Sequence, residues 1–302
     1  MVEMDFDYYA TTAAMDKFSQ SDINTLREWT KGLDVTKYVP KDLSDKQLVI
    51  FYNACYGDMD KTKLCIEKYY SFRKNAPEFF DNRDVSSNDL KPSTEDVLLE
   101  FSVLPEKSIE GYDIVFHRLH NQDPAKYHFE IGVKMLFMTV DACLYKRGPQ
   151  SGFIFLFDMR GVKLGHITKL SLSSLRKFFQ YVQEAMPVRM RAIHVLNTEP
   201  VLDKLMILIR PFMDKKFFDM LKFHSKTESL DKFYETVIGR SSLPSDFGGS
   251  LPDTQTLHKK FMLQLQSMNP YFAAEEHQRT EALPNKKRDK DGVDSFKQLN
   301  ID

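Results

Sequence analysis

Two side chains stand where an α/β sheet would present chemistry. Asp158 closes the apolar run FIFLFD, and His194 sits inside RAIHVL. A carboxylate and an imidazole at strand ends have the residue types of a general base and its partner. The sequence supplies nothing for them to activate. No G-x-S-x-G nucleophile elbow, no G-x-x-x-x-G-K-[ST] loop and no G-x-G-x-x-G turn occurs. The nearest glycine pattern, Gly161 and Gly165 in RGVKLGH, has the wrong spacing, and none of the eight histidines falls in H-E-x-x-H. Asp158 therefore reads as the cap of the Arg-Gly turn that follows it, and His194 as a hydrogen-bonded core histidine. No enzyme, catalytic residue, metal or cofactor is expected. Cys55, Cys65 and Cys143 are odd in number and widely spaced. They make no disulfide framework and suit a reducing cytosol.

Composition narrows the classes further. The formal net charge of −1 gives no global electrostatic case for nucleic acid. The 24 Phe and 14 Met point to bulky, adaptable apolar packing, either in a large core or around a ligand cavity. The opening MVEMDFDYYA lacks a signal peptide's basic and apolar regions. The longest apolar runs, such as Leu205 to Ile209, fall far short of a membrane span. A cytoplasmic monomer is the expectation.

The elements follow from periodicity and caps. Ser21 and Asp22 are placed to cap a helix carrying Ile23, Leu26 and Trp29. Ser44 caps a second with Leu48, Phe51 and Tyr52, and Asp58 or Asp60 a third with Cys65, Ile66, Tyr69 and Tyr70. Residues 81–96 read as a polar linker, and Asp96 to Leu104 as a short amphipathic helix. Strand and helix then alternate: strands at Tyr112–Leu119, Phe153–Phe157, Met190–Leu196 and Phe217–Phe223, and helices at Phe129–Tyr145, Ser171–Met186, Pro200–Met213, Ser229–Ile238 and His258–Met268. This alternation predicts an α/β domain with a mostly parallel sheet. From about Ala274 onward the chain is charged and low in apolar residues, and its EALPNKKRDKDGVDS core is expected to be disordered.

The segment Pro200 to Met213 stands apart. Val201, Leu205, Leu208, Ile209 and Phe212 form one apolar stripe, and Leu202, Met206 and Met213 lie off it yet are also apolar. A second apolar face needs a second partner, such as a ligand or a bilayer. Arg189 and Arg191 alternate nearby, and Arg210, Lys215 and Lys216 follow. Such a group suits the phosphates of an anionic headgroup.

Taken together, FDMRG, PVRMRAIHVLNTEPVLDKLMILIRPFMDKK and LPSDFGG resemble the signature strings of the CRAL-TRIO lipid-binding family, over roughly Asp45 to Asp253. KYYSFRKNAPEFF resembles the end of that family's helical N-terminal domain. The resemblance implies a flexible arm (1–15), a helical bundle (16–85), a CRAL-TRIO-like domain with a gate helix over an apolar pocket (86–256), and a C-terminal helix with a disordered tail (257–302). It implies binding and transfer of a small hydrophobic lipid, such as a retinoid or tocopherol, with transient contact to an anionic membrane. An interaction module that senses lipid or scaffolds without transfer is the alternative.

The implied ligand contacts begin with Leu136, Phe137 and Val140 on the helix before FIFLF, and Phe153, Phe155 and Phe157 within it. Leu170, Phe178, Val182, Met190 and Ile193 follow, with Val201, Leu205, Ile209 and Phe212 on the gate. The three strand phenylalanines suggest a narrow aromatic cavity for a flat conjugated or isoprenoid ligand. The family's phosphoinositide-binding positions fall on Arg189, Arg191 and Lys216. Its R-F-L-R-A-R string reads Ile50 to Cys55 (IFYNAC) here, and a further basic position falls on Met220.

Overall fold

The computed structural model describes residues 18–90 and 99–282. The expected arm at 1–15 and the core of the expected tail lie outside them. Helix α1 (Gln20–Gly32) is capped by Ser19, whose hydroxyl accepts from the Asp22 N–H at 3.3 Å. The cap thus sits two residues before the expected Ser21, whose carbonyl instead accepts from the Thr25 hydroxyl. Helix α2 (Asp45–Ala54) opens with a reciprocal capping box between Ser44 and Gln47. Helix α3 (Met59–Asn75) takes Asp58, not Asp60, as its cap. The single turn α4 (Pro77–Phe80) starts at Pro77 and buries Phe79 and Phe80 completely. The apolar faces of these helices join one continuous cluster with Val115, Phe137, Phe153, Phe155 and Tyr181 of the α/β region.

The remaining elements, in chain order, are β1 (Leu99–Val103), β2 (Asp113–Leu119), α5 (Phe129–Arg147), β3 (Phe153–Asp158), α6 (Leu164–Ile167), α7 (Leu172–Glu184), β4 (Met190–Thr198), α8 (Val201–Ile209), α9 (Lys215–Asp219), β5 (Leu221–Ser225), α10 (Asp231–Thr236), α11 (Thr254–Ser267) and α12 (Asn269–Glu281). The five strands stand in the order β1-β2-β3-β4-β5; β1 runs antiparallel to β2 and the rest are parallel. Alternation along the strands sends Ile114, Phe116, Leu156 and Leu196 to one face, against Phe233, Ile238, Leu243 and Leu257. Val115, Phe153 and Phe155 go to the other face, under the helical cluster. Both faces are covered, which is why FIFLF reads as an unbroken apolar run. In LPSDFGG, the Leu251 N–H donates to the Leu243 carbonyl at 3.0 Å. A Cβ on Gly249 would lie 2.0 Å from that same oxygen, so only glycine fits.

Four expectations are corrected. Residues 99–103 form edge strand β1 rather than a helix, because Glu100, Phe101 and Ser102 pair with β2. Residues 217–219 finish the short helix α9, capped by Asp214, and the strand begins only at Leu221. The linker packs in its first half: Arg83, Val85 and Leu90 are buried, the two apolar residues against Phe261 and Phe272. Helix order continues past Ala274 to Glu281, because Phe272, Glu275 and Arg279 are buried on one face of α12.

Those last two corrections share a cause. Arg73 of α3 donates to Asp141 of α5 at 2.7 Å and to Glu275 of α12 at 3.1 Å. Arg83 bonds the second oxygens of the same two carboxylates. The Arg73 guanidinium also reaches the Tyr181 hydroxyl of α7 at 3.0 Å and lies 4.0 Å from the Tyr69 ring centroid. All four charges are buried. Burial pushes the Glu275 carboxyl upward, but Arg83, Arg73 and Arg279 more than offset it and hold it below its usual value. The stability this contributes is present above pH 4.5, the carboxyl's ordinary pKa, and lost as pH falls below it. Asp141→Ala leaves two buried guanidiniums short of a partner. It is expected to cost about 3–5 kcal/mol in urea unfolding; a loss within the ordinary range for surface substitutions would refute this role.

Candidate functional site

The sheet face covered by the helical bundle continues beyond it. At the carboxyl ends of the parallel strands its residues are His117 and Leu119 after β2's core, Phe157 and Met159 at β3, and Ile193 and Val195 on β4. Leu99 and Phe101 of β1 extend this wall. Phe129, Val133 and Leu136 from the first turns of α5, and Leu175, Phe178 and Phe179 from α7, form the floor. Helix α8 roofs the space with Leu202, Leu205, Met206 and Ile209. The result is a cavity of about 250 Å³ whose lining contains no Lys, Arg, Asp or Glu. It lies where ligands bind in open α/β sheets, outside the carboxyl ends of the strands.

Seven of the expected contact residues line this cavity: Leu136, Phe157, Leu170, Phe178, Ile193, Leu205 and Ile209. Eight do not. Phe137, Val140, Phe153 and Phe155 are buried with the N-terminal helices, because the bundle covers the first half of β3. Val182, Met190 and Phe212 pack beside the cavity against Phe179 and Phe217. Val201 lies half-buried in the first turn of α8, outside the lining. The wall of three strand phenylalanines is thus reduced to Phe157, and the aromatic character comes instead from residues such as Phe101, Phe129 and Phe179. The expected helix over Pro200–Met213 divides into α8 and a 3-10 turn at Arg210–Phe212. Its cavity face is 202, 205, 206 and 209, which includes two residues the sequence reading placed off the stripe. The spacing i, i+3, i+4, i+7 was there to find it.

The sequence reading also missed three polar side chains in the lining: His117, Tyr127 and His166. His117 is sandwiched between Phe101 and Phe157, with ring centroids 5.5 and 4.4 Å away. Burial pushes its pKa down to about 4. His166 is held by the Lys163 N–H, which donates to Nδ1 at 2.9 Å, and burial lowers its pKa as well. Tyr127 packs edge-on against His166 at 5.4 Å, and burial raises its phenol.

Arg189 and Arg191 lie at the amino-terminal end of β4, the end opposite the cavity. Arg189 Nε donates to the Asn53 carbonyl at 2.7 Å, and its guanidinium lies 4.1 Å from the Tyr56 ring centroid. Asn53 belongs to the IFYNAC string, so a backbone oxygen of the helical bundle holds Arg189. Arg191 is exposed, donates to the Ser151 carbonyl at 2.8 Å and faces a polar cleft with Lys222 and Lys232. Lys216 is exposed in the first turn of α9. Asp158 and His194 are not brought together. Asp158 accepts from the Arg160 N–H at 3.0 Å and from Asn197 at 2.8 Å, and His194 pairs with His224 at 2.9 Å. Among the described residues no group of three or more His, Cys, Asp or Glu could hold a metal, and no helix is long and apolar enough to cross a membrane.

Comparison with known proteins agrees with this architecture. The CRAL/TRIO domain profile matches residues 100–249, and a Pinta-like UBA domain profile matches residues 16–90. A human protein named alpha-tocopherol transfer protein-like is 28% identical over 219 residues, covering 71% of this chain and 61% of that protein's length. Clavesin-2 of Rattus norvegicus is 23% identical over 188 residues, covering 62% of this chain and 56% of clavesin-2. The crystal structure of Sfh5 matches with a TM-score of 0.50 at 10% identity, covering 87% of this chain and 99% of that one, which is a likeness of fold. With its helical N-terminal region, its mostly parallel five-stranded sheet and its roofed apolar cavity, the chain belongs to the CRAL/TRIO family.

Proposed function

We propose that this protein binds one small hydrophobic lipid in the cavity under α8 and transfers it between membranes without making or breaking a bond. The observation that carries this reading is the apolar cavity with a helical roof. Its uncharged, largely aliphatic and aromatic lining suits a small hydrophobic lipid of the retinoid, tocopherol or isoprenoid kind. The names of the tocopherol transfer-like relatives support the same class.

Release needs the roof to move. Helix α8 has no buried residue and no side-chain cap, and Ile207 on its outer face is 73% exposed. At a bilayer, Ile207 would insert while the inner residues exchange ligand contacts for lipid contacts. Arg191 and Lys216, with Arg189 behind them, would hold an anionic headgroup such as a phosphatidylinositol bisphosphate.

Two experiments separate binding from release. Ile207→Asp is expected to leave uptake of a fluorescent polyene unchanged while slowing its transfer to vesicles by about tenfold or more, since a charge on an inserting face opposes insertion. Unchanged transfer would remove α8 as the docking element. Arg189 is tied to Asn53, so the charge test uses Arg191→Ala with Lys216→Ala. Near an anionic surface each cation contributes about 1 kcal/mol, so this pair should weaken binding to phosphoinositide vesicles by about 30-fold. Equal binding by the variant and the parent would exclude headgroup recognition there.

A further inference from the structure

A second, polar cleft lies on the sheet face opposite the lipid cavity. Alternation along β4 and β5 sends Ile193, Val195 and Leu221 to the cavity, and Ala192, His194, Lys222 and His224 the other way. Tyr112, Phe233 and Val237 add to the walls of this cleft, and its volume is about 400 Å³. That is within the range of small-molecule sites.

An irregularity in β4 shapes it. The register with β3 steps from Phe153–Met190 to Ile154–Ala192, so Arg191 is an extra residue in the strand. A bulge re-aims side chains. Here it lets Arg191 line the same cleft as its neighbour Ala192, which strict alternation forbids. Lys222 and Lys232 line it as well. Among the described residues none of these three cations pairs with a carboxylate. Arg191 donates to the Ser151 carbonyl, and Lys222 donates to the Asp219 carbonyl at 3.0 Å, leaving two ammonium protons to spare. Two carboxylates share the cleft: Glu110 bonds the Tyr112 hydroxyl, and Glu228 acts on His224. His194 Nδ1 and His224 Nε2 lie 2.9 Å apart, and Phe233 packs edge-on against both rings. Burial pushes the His194 pKa down to about 4, with His224 and Lys222 opposing a further proton, and burial lowers His224 too. An anion beside the pair would push both back up.

We infer that this cleft binds a small soluble phosphate monoester, its phosphate held by Arg191, Lys222 and Lys232 and its organic part against Ile154, Phe233 and Val237. Three cations suit a dianion, and the arginine fork suits phosphate geometry. The placement favours a soluble ester over a lipid headgroup, because α8, the element that would meet a bilayer, covers the other sheet face. The inference is independent of the lipid-carrier reading and uses Lys222 and Lys232, which that reading does not.

The test is calorimetric titration of the full chain with phenyl phosphate, phenyl sulfate and phenol at pH 7.5 and constant ionic strength. A phosphate monoester is mostly dianionic there, since its second pKa is about 6. Phenyl phosphate should bind about tenfold tighter than the singly charged sulfate, and phenol should give no measurable heat. Lys222→Ala with Lys232→Ala changes two exposed side chains, so the urea midpoint should stay put while phenyl phosphate binding weakens about tenfold. Equal binding of the three probes, or a double variant that binds phenyl phosphate as the parent does, would overturn the inference. So would a parent that ignores phenyl phosphate and binds only vesicles carrying a phosphorylated phosphatidylinositol, which would assign the lysines to a headgroup. A second readout needs no variant. Phenyl phosphate should move the ring resonances of His194 and His224 and shift their titration to higher pH; unmoved rings would place the anion elsewhere and overturn the inference.

Discussion

The pairing of Arg73 and Arg83 with Asp141 and Glu275 is the constraint on which the other parts depend. Removing two guanidiniums and two carboxylates from water is costly, and only near-complete mutual pairing offsets it. The four groups come from α3, the 81–90 segment, α5 and α12, with Tyr181 of α7 bonded to the same arginine. The network therefore fixes several segments at one point. Two of them, α5 and α7, also build the cavity. Asp141 lies five residues beyond Leu136 on α5, and Tyr181 lies two and three residues beyond Phe179 and Phe178 on α7. The charges that lock the bundle to the sheet thus also set the floor of the cavity.

The roof is held in a different way. Helix α8 buries no residue fully and takes no side-chain cap. Just beyond its C-terminal end the chain is pinned: the Gln183 amide of α7 donates to the Phe212 carbonyl at 3.0 Å, and its oxygen accepts from the Asp214 N–H at 2.8 Å. A segment tied at one end and held elsewhere by half-buried apolar contacts belongs to the low-stability part of a fold. Floor and roof differ in the type of force that holds them. Paired buried charges resist displacement, whereas apolar contacts can be exchanged for those of a bilayer at little net change.

Much of this was legible in the chain, for identifiable reasons. The alternation of FIFLF and MRAIHVL with amphipathic helices fixed the fold class, because strand and helix periods are local properties. Residues 99–103 were misread because a short edge strand carries an alternation that a helix can imitate over five residues. Helix α12 was missed because its buried face includes Glu275 and Arg279, which count as surface residues until their partners on distant segments are known. The cavity was half legible. Phe153 and Phe155 share a strand face with Phe157, and only the position of the bundle along β3 decides which of them lines the cavity. His166 was hidden for a similar reason: its place in the lining depends on where α6 sits over the sheet.

The distribution of charge has a consequence for selectivity. Affinity in an apolar cavity grows with buried area, and area distinguishes poorly between lipids of similar size. A polar group in the wall discriminates more sharply, because a ligand lacking the complementary atom leaves that group unpaired. No lysine or arginine lines the cavity, whose polar side chains are His117, Tyr127 and His166. Burial disfavours the charged forms of His117 and His166. A protonated imidazole in the wall would attract an anion into the cavity. The depressed basicity of these two rings keeps positive charge out of the cavity wall.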